Sequence, residues 1–136
     1  MKDQLIQALE WRYATKKFDA TQQLDANDKE TIERVLQLTP TSYGLQPLHF
    51  IWIEDHALRE QIKTLAWNQQ QIVDAAAVLV ICAKNELDAA FLDAHADRMR
   101  DERAMEEAQI QGFRSHLHTA IGNKPKADVK VWNNKQ

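Results

Sequence analysis

Apolar positions recur along this chain with a helical period in some stretches and run unbroken in others, and the order of those stretches predicts the elements. Leu5, Leu9 and Tyr13 share one helical face, with Ile6 and Ala8 beside it, which predicts a helix over residues 3–13. Ile32, Val35, Leu36 and Thr39 predict the buried side of a second helix over 26–38. Asp25 is placed to cap it, and Asp28 follows three residues later as in a capping box. Residues 48–54, Leu-His-Phe-Ile-Trp-Ile-Glu, are rich in aromatic and β-branched types and read as a strand. Asp55 caps a helix over 56–67 that carries Leu58, Ile62 and Leu65 on one side. A second strand lies at 77–83. Asn85 is expected to cap the next helix, marked by Leu87, Phe91, Leu92, His95 and Met99. Ile110, Phe113, Leu117 and Ala120 mark another, which Gly122 caps and Pro125 stops. Val129 and Trp132 open a last pattern.

Both strands are apolar at nearly every position, the pattern of strands buried on both faces. Two isolated strands do not make a stable sheet. Either another chain supplies the missing strands, or residues 1–136 are the front part of a longer protein. The second reading is preferred: a single α+β domain over 1–136, truncated at its C-terminus.

The polar residues concentrate at Thr39-Pro40-Thr41-Ser42-Tyr43-Gly44-Leu45-Gln46-Pro47, between the second helix and the first strand. Pro40 and Pro47 fix φ and stiffen the path. Thr39 and Gln46 precede prolines and are expected to be extended, and Gly44 supplies a positive φ where one is needed. A rigid polar loop between regular elements is a common place for a small-ligand site, although on chemistry alone a solvated connector is the preferred reading. The segment Arg12-Tyr13-Ala14-Thr15-Lys16-Lys17-Phe18 places three cations within six residues. They either complement a helix C-terminus or form an anion site, with Arg12 offering a planar fork of donors and Lys16 a point charge. The amides at 68–71 are surface residues or donors and acceptors for a polar ring.

Composition narrows the classes. At 44% hydrophobic and 27% charged residues, the chain is of soluble globular type. A net charge of -3 without a basic stripe argues against nucleic acid. No run is apolar enough to span a bilayer, and the N-terminal residues read as an amphipathic helix rather than a signal peptide. The single cysteine, Cys82, excludes an internal disulfide and sits in an apolar strand, where it acts as a small hydrophobe. Asp93, His95 and Asp97 alternate along a helix and do not point together, so no metal site is assigned; His116 and His118 meet the same objection. The mixed charges from Asp97 to Arg103 read as a solvated face.

Taken in order, the 12–18 segment, the run from Leu38 to Phe50, Asn68, the strand from Ala77 to Lys84 and the stretch from Trp132 to Gln136 resemble the FMN-dependent nitroreductase family. The branch is that of the oxygen-insensitive NAD(P)H nitroreductases and dihydropteridine reductases. The resemblance covers about the first three-fifths of a typical member. It implies an α+β sheet flanked by helices, a cytoplasmic homodimer with FMN at the subunit interface, and hydride transfer from NADH or NADPH through the flavin to nitroaromatics, quinones or related acceptors. Arg12 would meet the flavin phosphate, Lys16 the pyrimidine side of the ring, and the backbone of Tyr13 and Ala14 would help hold the cofactor. Pro40, Thr41, Ser42 and Gly44 would line the site across the interface, and Asn68 would hydrogen-bond the ring. Lys16, Tyr43, Asn68, Gln71 and His118 would border the nicotinamide and substrate pocket. No side chain is assigned as catalytic, because the flavin carries the redox chemistry.

Some positions depart from the family. Ala14 stands where a serine is frequent, Gly44 where an asparagine is, and Gln71 where a lysine is. The family's segment facing the flavin's reactive nitrogen, and its basic C-terminal residues, would lie beyond Gln136. The 136-residue chain alone is therefore expected to be inactive. The alternatives are a non-catalytic, small-ligand-binding module of the same fold and a helical interaction protein whose loop is only a connector.

Overall fold

A computed structural model describes residues 2–133. The elements are α1 (Lys2–Trp11), α2 (Ala26–Leu38), β1 (Leu48–Ile53), α3 (His56–Leu65), α4 (Gln71–Asp74), β2 (Val78–Ala83), α5 (Ala89–Arg103), α6 (Glu107–Leu117) and α7 (Lys126–Asn133). β1 and β2 pair in a two-stranded sheet, so the fold is a mixed one of helices and a small sheet. The Lys84 N–H donates to the Pro47 carbonyl at 2.8 Å, which joins the start of β1 to the end of β2, the antiparallel sense. The chain divides into two compact units, Met1–Ile32 with Trp52–Val80, and Glu33–Ile51 with Ile81–Gln136.

The cap of α2 is as read: Asp25 accepts from the Asp28 N–H at 2.7 Å. Asp55 caps α3 in the same way, accepting from the Leu58 N–H at 2.7 Å. The cap of α5 is Asp88 rather than Asn85, and it accepts from the Phe91 N–H at 2.8 Å. The shift leaves Leu87 ahead of the helix, where it is buried all the same.

The second unit holds the main core. Leu45, Leu87, Leu92, Leu117, Ile121 and Val129 pack together, with Phe91, Phe113, Ala120 and Trp132 against them. Of the final stretch, Trp132 lies in α7, while Asn134 to Gln136 fall outside the described residues. Gly122 is not a left-handed cap. It closes a wide π-type turn over His118–Gly122, where a Cβ would meet His118 Nδ1 and Leu92 Cδ1 at 3.5 Å. Those are ordinary van der Waals distances, so neither a positive φ nor a close approach requires a glycine at this position.

The first unit depends less on apolar burial. Among the described residues its one buried charged side chain is Arg59, on the side of α3 that also carries Ile62, Lys63 and the C-cap Ala66, while Leu58 and Leu65 are exposed. Arg59 Nη1 donates to the carbonyls of Ile72, Val73 and Ala75, the first two within α4 and the third just after it. Those are orphan acceptors at a helix end, and the two N–H groups of this one nitrogen are shared among them. No residue of α1 is buried; Leu5, Ile6 and Leu9 are all exposed.

Two other burial expectations are corrected. On α2, Ile32 and Leu36 are half-buried, whereas Val35 and Thr39 are exposed. The strands are not buried on both faces: His49, Ile51 and Ile81 are exposed. Side chains alternate between the two faces of a strand, and His49 and Ile51, two residues apart on β1, share a face that no second layer covers.

Candidate functional site

The loop after α2 is held by more than its prolines. Leu45 and Pro47 are buried and pin it to the core of the second unit. Between them and Thr41 the chain folds into a single 3-10 turn over Ser42–Gly44, with the Gly44 N–H on the Thr41 carbonyl at 2.9 Å. Gly44 takes the left-handed conformation, φ 67°, as expected. Tyr43 and Gln46 take it too, at φ 57° and 45°. Gln46 is thus not extended, despite the proline after it. Its N–H donates to Thr41 Oγ1 at 2.8 Å and its side-chain amide to the Gln37 carbonyl at 2.9 Å, and together these offset the strain.

This loop separates two depressions in the second unit. One is a cleft of about 660 Å³ walled by Leu36, Leu48, Phe50, Ile81 and Ala83, with Thr39, Thr41, Gln46 and Asn133 adding polar groups. The other is a recess of about 450 Å³ between Tyr43, Gly44 and Gln46 on one side and His95, Arg98, Met99 and Arg103 of α5 on the other. The Tyr43 carbonyl, turned by its positive φ, meets His95 Nε2 at 3.1 Å. The His95 ring lies 6.1 Å from that of Phe113, and Tyr43 lies 5.6 Å from His116.

Burial pushes the His95 imidazole below its ordinary pKa; the Tyr43 carbonyl opposes this, and the cations Arg98 and Arg103 add to it. A folded pKa below the unfolded one means that the unfolded chain takes up the proton first. The stability that neutral His95 contributes is complete above about pH 6.5 and is lost as the pH falls through the folded value. Thermal melting between pH 7.5 and 5.5 is expected to show a drop that is smaller in His95→Gln. Equal drops in the two proteins would refute this.

Further along, Asp93 gathers His118 Nε2 at 2.8 Å and Arg114 at 3.1 Å, and Arg114 also reaches Asp97 at 2.7 Å. The bonds from His118 and Arg114 hold the half-buried Asp93 carboxyl below its ordinary pKa. His118 therefore ties the π-type turn back to α5. Arg100 pairs with Asp97 and Asp101, so the mixed-charge run is a laced helix face as read.

Of the residues singled out from the sequence, the second unit holds Pro40, Thr41, Ser42, Tyr43, Gly44 and His118. Thr41 lines the cleft, and Tyr43 and Gly44 line the recess. The first unit holds Arg12, Tyr13, Ala14, Lys16, Asn68 and Gln71. Arg12 to Ala14 follow α1 without regular structure, exposed, as is Lys16. Among the described residues neither Arg12 nor Lys16 has an ion-pair partner. Asn68 is exposed and left-handed at φ 54°, its N–H on the Lys63 carbonyl at 3.0 Å, just past the end of α3. Gln71 is half-buried at the start of α4.

Sequence reasoning missed the Leu45 and Pro47 anchors, the carbonyl-gathering role of Arg59 and the recess around His95. Leu45 carried a weak signal, one apolar side chain inside a polar loop. Arg59 carried none.

The family model described as the nitroreductase family matches residues 9–128. A Staphylococcus epidermidis protein named as a candidate NAD(P)H nitroreductase is 32% identical across 100% of the chain, which covers 64% of that protein. A Staphylococcus aureus protein of the same designation is 30% identical, with 100% and 63% covered. The chain thus spans less than two thirds of the length of these relatives. A nitroreductase-type structure from Bacillus subtilis superposes with a TM-score of 0.87 at 12% identity, over 99% of this chain and 65% of that one. A nitroreductase-type structure from Exiguobacterium sibiricum in complex with FMN gives 0.75 at 17% identity, over 94% and 61%.

Proposed function

The chain belongs to the nitroreductase family, and we propose that the protein containing it is an FMN-dependent oxidoreductase that takes hydride from NADH or NADPH and passes it to nitroaromatics, quinones or related acceptors. The observation that carries this reading is the family match over residues 9–128, which takes in every residue assigned to the site, from Arg12 to His118. The residues present fit the cofactor. Arg12 and Lys16 are exposed cations with no carboxylate partner among the described residues, as an anion-binding segment requires.

Bound FMN would supply the hydride chemistry. Arg12 would hold the phosphate, with the Tyr13 and Ala14 backbone alongside. Lys16 would bring positive charge to the pyrimidine edge of the ring, and Asn68 a donor and an acceptor. Pro40, Thr41, Ser42 and Gly44 would come from a second subunit, on a loop already stiffened by Leu45 and Pro47. Lys16, Tyr43, Asn68, Gln71 and His118 would border the pocket that donor and acceptor enter. A homodimer is favoured by the apolar surface of the first unit. Leu5, Ile6 and Leu9 of α1 are more than half exposed, Trp11 is 83% and Trp67 91% exposed. Among the described residues no helix is long and apolar enough to cross a membrane. A cytoplasmic location is proposed on the family resemblance and the single cysteine.

The protein containing this chain is expected to purify with flavin absorbance and to oxidise NAD(P)H in the presence of a quinone. The 136 residues alone are expected to do neither. A colourless, inactive protein would refute the assignment and favour the ligand-binding module. Turnover by the 136-residue chain would refute its dependence on further segments.

A further inference from the structure

We propose that the recess between the Tyr43–Gln46 turn and α5 binds a small aromatic carboxylate, with Arg98 and Arg103 holding the carboxylate and Tyr43, Met99 and Phe113 receiving the ring.

The charge argument rests on which cations are already committed. Arg100 and Arg114 are bound to Asp93, Asp97 and Asp101. Arg98 and Arg103, on the same helix as Arg100, have no carboxylate partner among the described residues, and both line the recess. Glu102 is the one acid in its lining, so two cations face one carboxylate. His95 does not add to the positive charge near neutral pH, since burial keeps it unprotonated. A guanidinium binds a carboxylate through paired N–H groups, which a lone ammonium does not match.

The apolar argument rests on the aromatic side chains. The Phe113 ring is set against His95, and the Tyr43 ring against His116, so both faces are ordered before any ligand arrives. A volume of about 450 Å³ is in the range of small-molecule sites, and the lining is about as polar as apolar, which suits a ligand with a charged end as well as a ring. Tyr43 and Gly44 are shared with the proposed flavin and substrate site, so the recess adjoins that site, while His95, Arg98, Met99, Arg103 and Phe113 stand outside it and carry the binding on their own.

The test uses the flavin-free form of the protein containing this chain and the fluorescent probe 2-naphthoate, with uncharged 2-naphthamide of the same shape as control. Naphthoate is expected to bind roughly tenfold or more tightly than the amide, the usual gain from a charge-assisted pair. The double variant Arg98→Gln/Arg103→Gln should remove that preference, Arg100→Gln should keep it, and Glu102→Gln should strengthen it. All are exposed or half-exposed positions, and circular dichroism would verify that each variant folds. The His95 ring resonances should move with naphthoate and not with the amide. Equal affinity for the two probes, no binding of either, or a preference that survives the double variant would overturn the site. Inorganic phosphate binding as tightly as naphthoate would overturn its aromatic specificity.

Discussion

Replacing Arg12 with Ala in the flavin-loaded protein is expected to weaken FMN retention by roughly 10–100-fold. That is the factor corresponding to the loss of a charge-assisted hydrogen bond worth about 1.5–3 kcal/mol. Arg12 is exposed and outside the helix, and it touches no acid among the described residues, so its removal leaves no buried charge behind. The cost should fall on cofactor affinity and not on folding. Arg12→Lys should recover part of the affinity, since it restores the charge without the fork. The measurement is flavin stoichiometry after dialysis, together with the melting temperature of the apoprotein. Unchanged stoichiometry in Arg12→Ala would count against the phosphate role. A large loss of apoprotein stability would show instead that the residue is structural.

Arg59→Met is expected to cost about 3 kcal/mol and lower the melting temperature by about 10 °C, the largest effect on stability anticipated for a single residue. The side chain is 6% exposed, and one nitrogen gathers the carbonyls of Ile72, Val73 and Ala75. Methionine fills much of the same volume but leaves those acceptors buried and unpaired. The expected loss is therefore a desolvation penalty and not a cavity. Arg59→Lys should fall between the two, because an ammonium can satisfy some of the carbonyls. A melting temperature within about 2 °C of wild type for Arg59→Met would mean that water or another donor replaces the guanidinium.

The burial of Arg59 shows where sequence patterns stop being informative. Leu58, Ile62 and Leu65 trace an apolar face along α3, and periodicity alone would bury that face. In the fold Leu58 and Leu65 are exposed and Arg59 is buried, because the carbonyls at the end of α4 create a demand for donors that no periodicity records. The caps were legible for the opposite reason. Asp25 and Asp55 act on backbone groups three residues away, so the information needed to place them is local. At α5 two capping residues, Asn85 and Asp88, stood close together, and the burial of Leu87 goes with the later start.

The same division applies to the loop at 39–47. Its stiffness, its position between α2 and β1 and the positive φ of Gly44 all follow from Pro40, Gly44 and Pro47. The sequence alone also determined the family, because that depends on residue types kept in order, and on the helix starts, because capping is local. Tertiary structure decided that Gln46 turns left-handed rather than extended, through its bonds to Thr41 and Gln37. It also decided that Leu45 anchors the turn and that the Tyr43 carbonyl faces a buried His95, in a recess that two uncommitted arginines also line. Those facts depend on which distant segments supply donors, acceptors and apolar surface, and one-dimensional periodicity does not contain them.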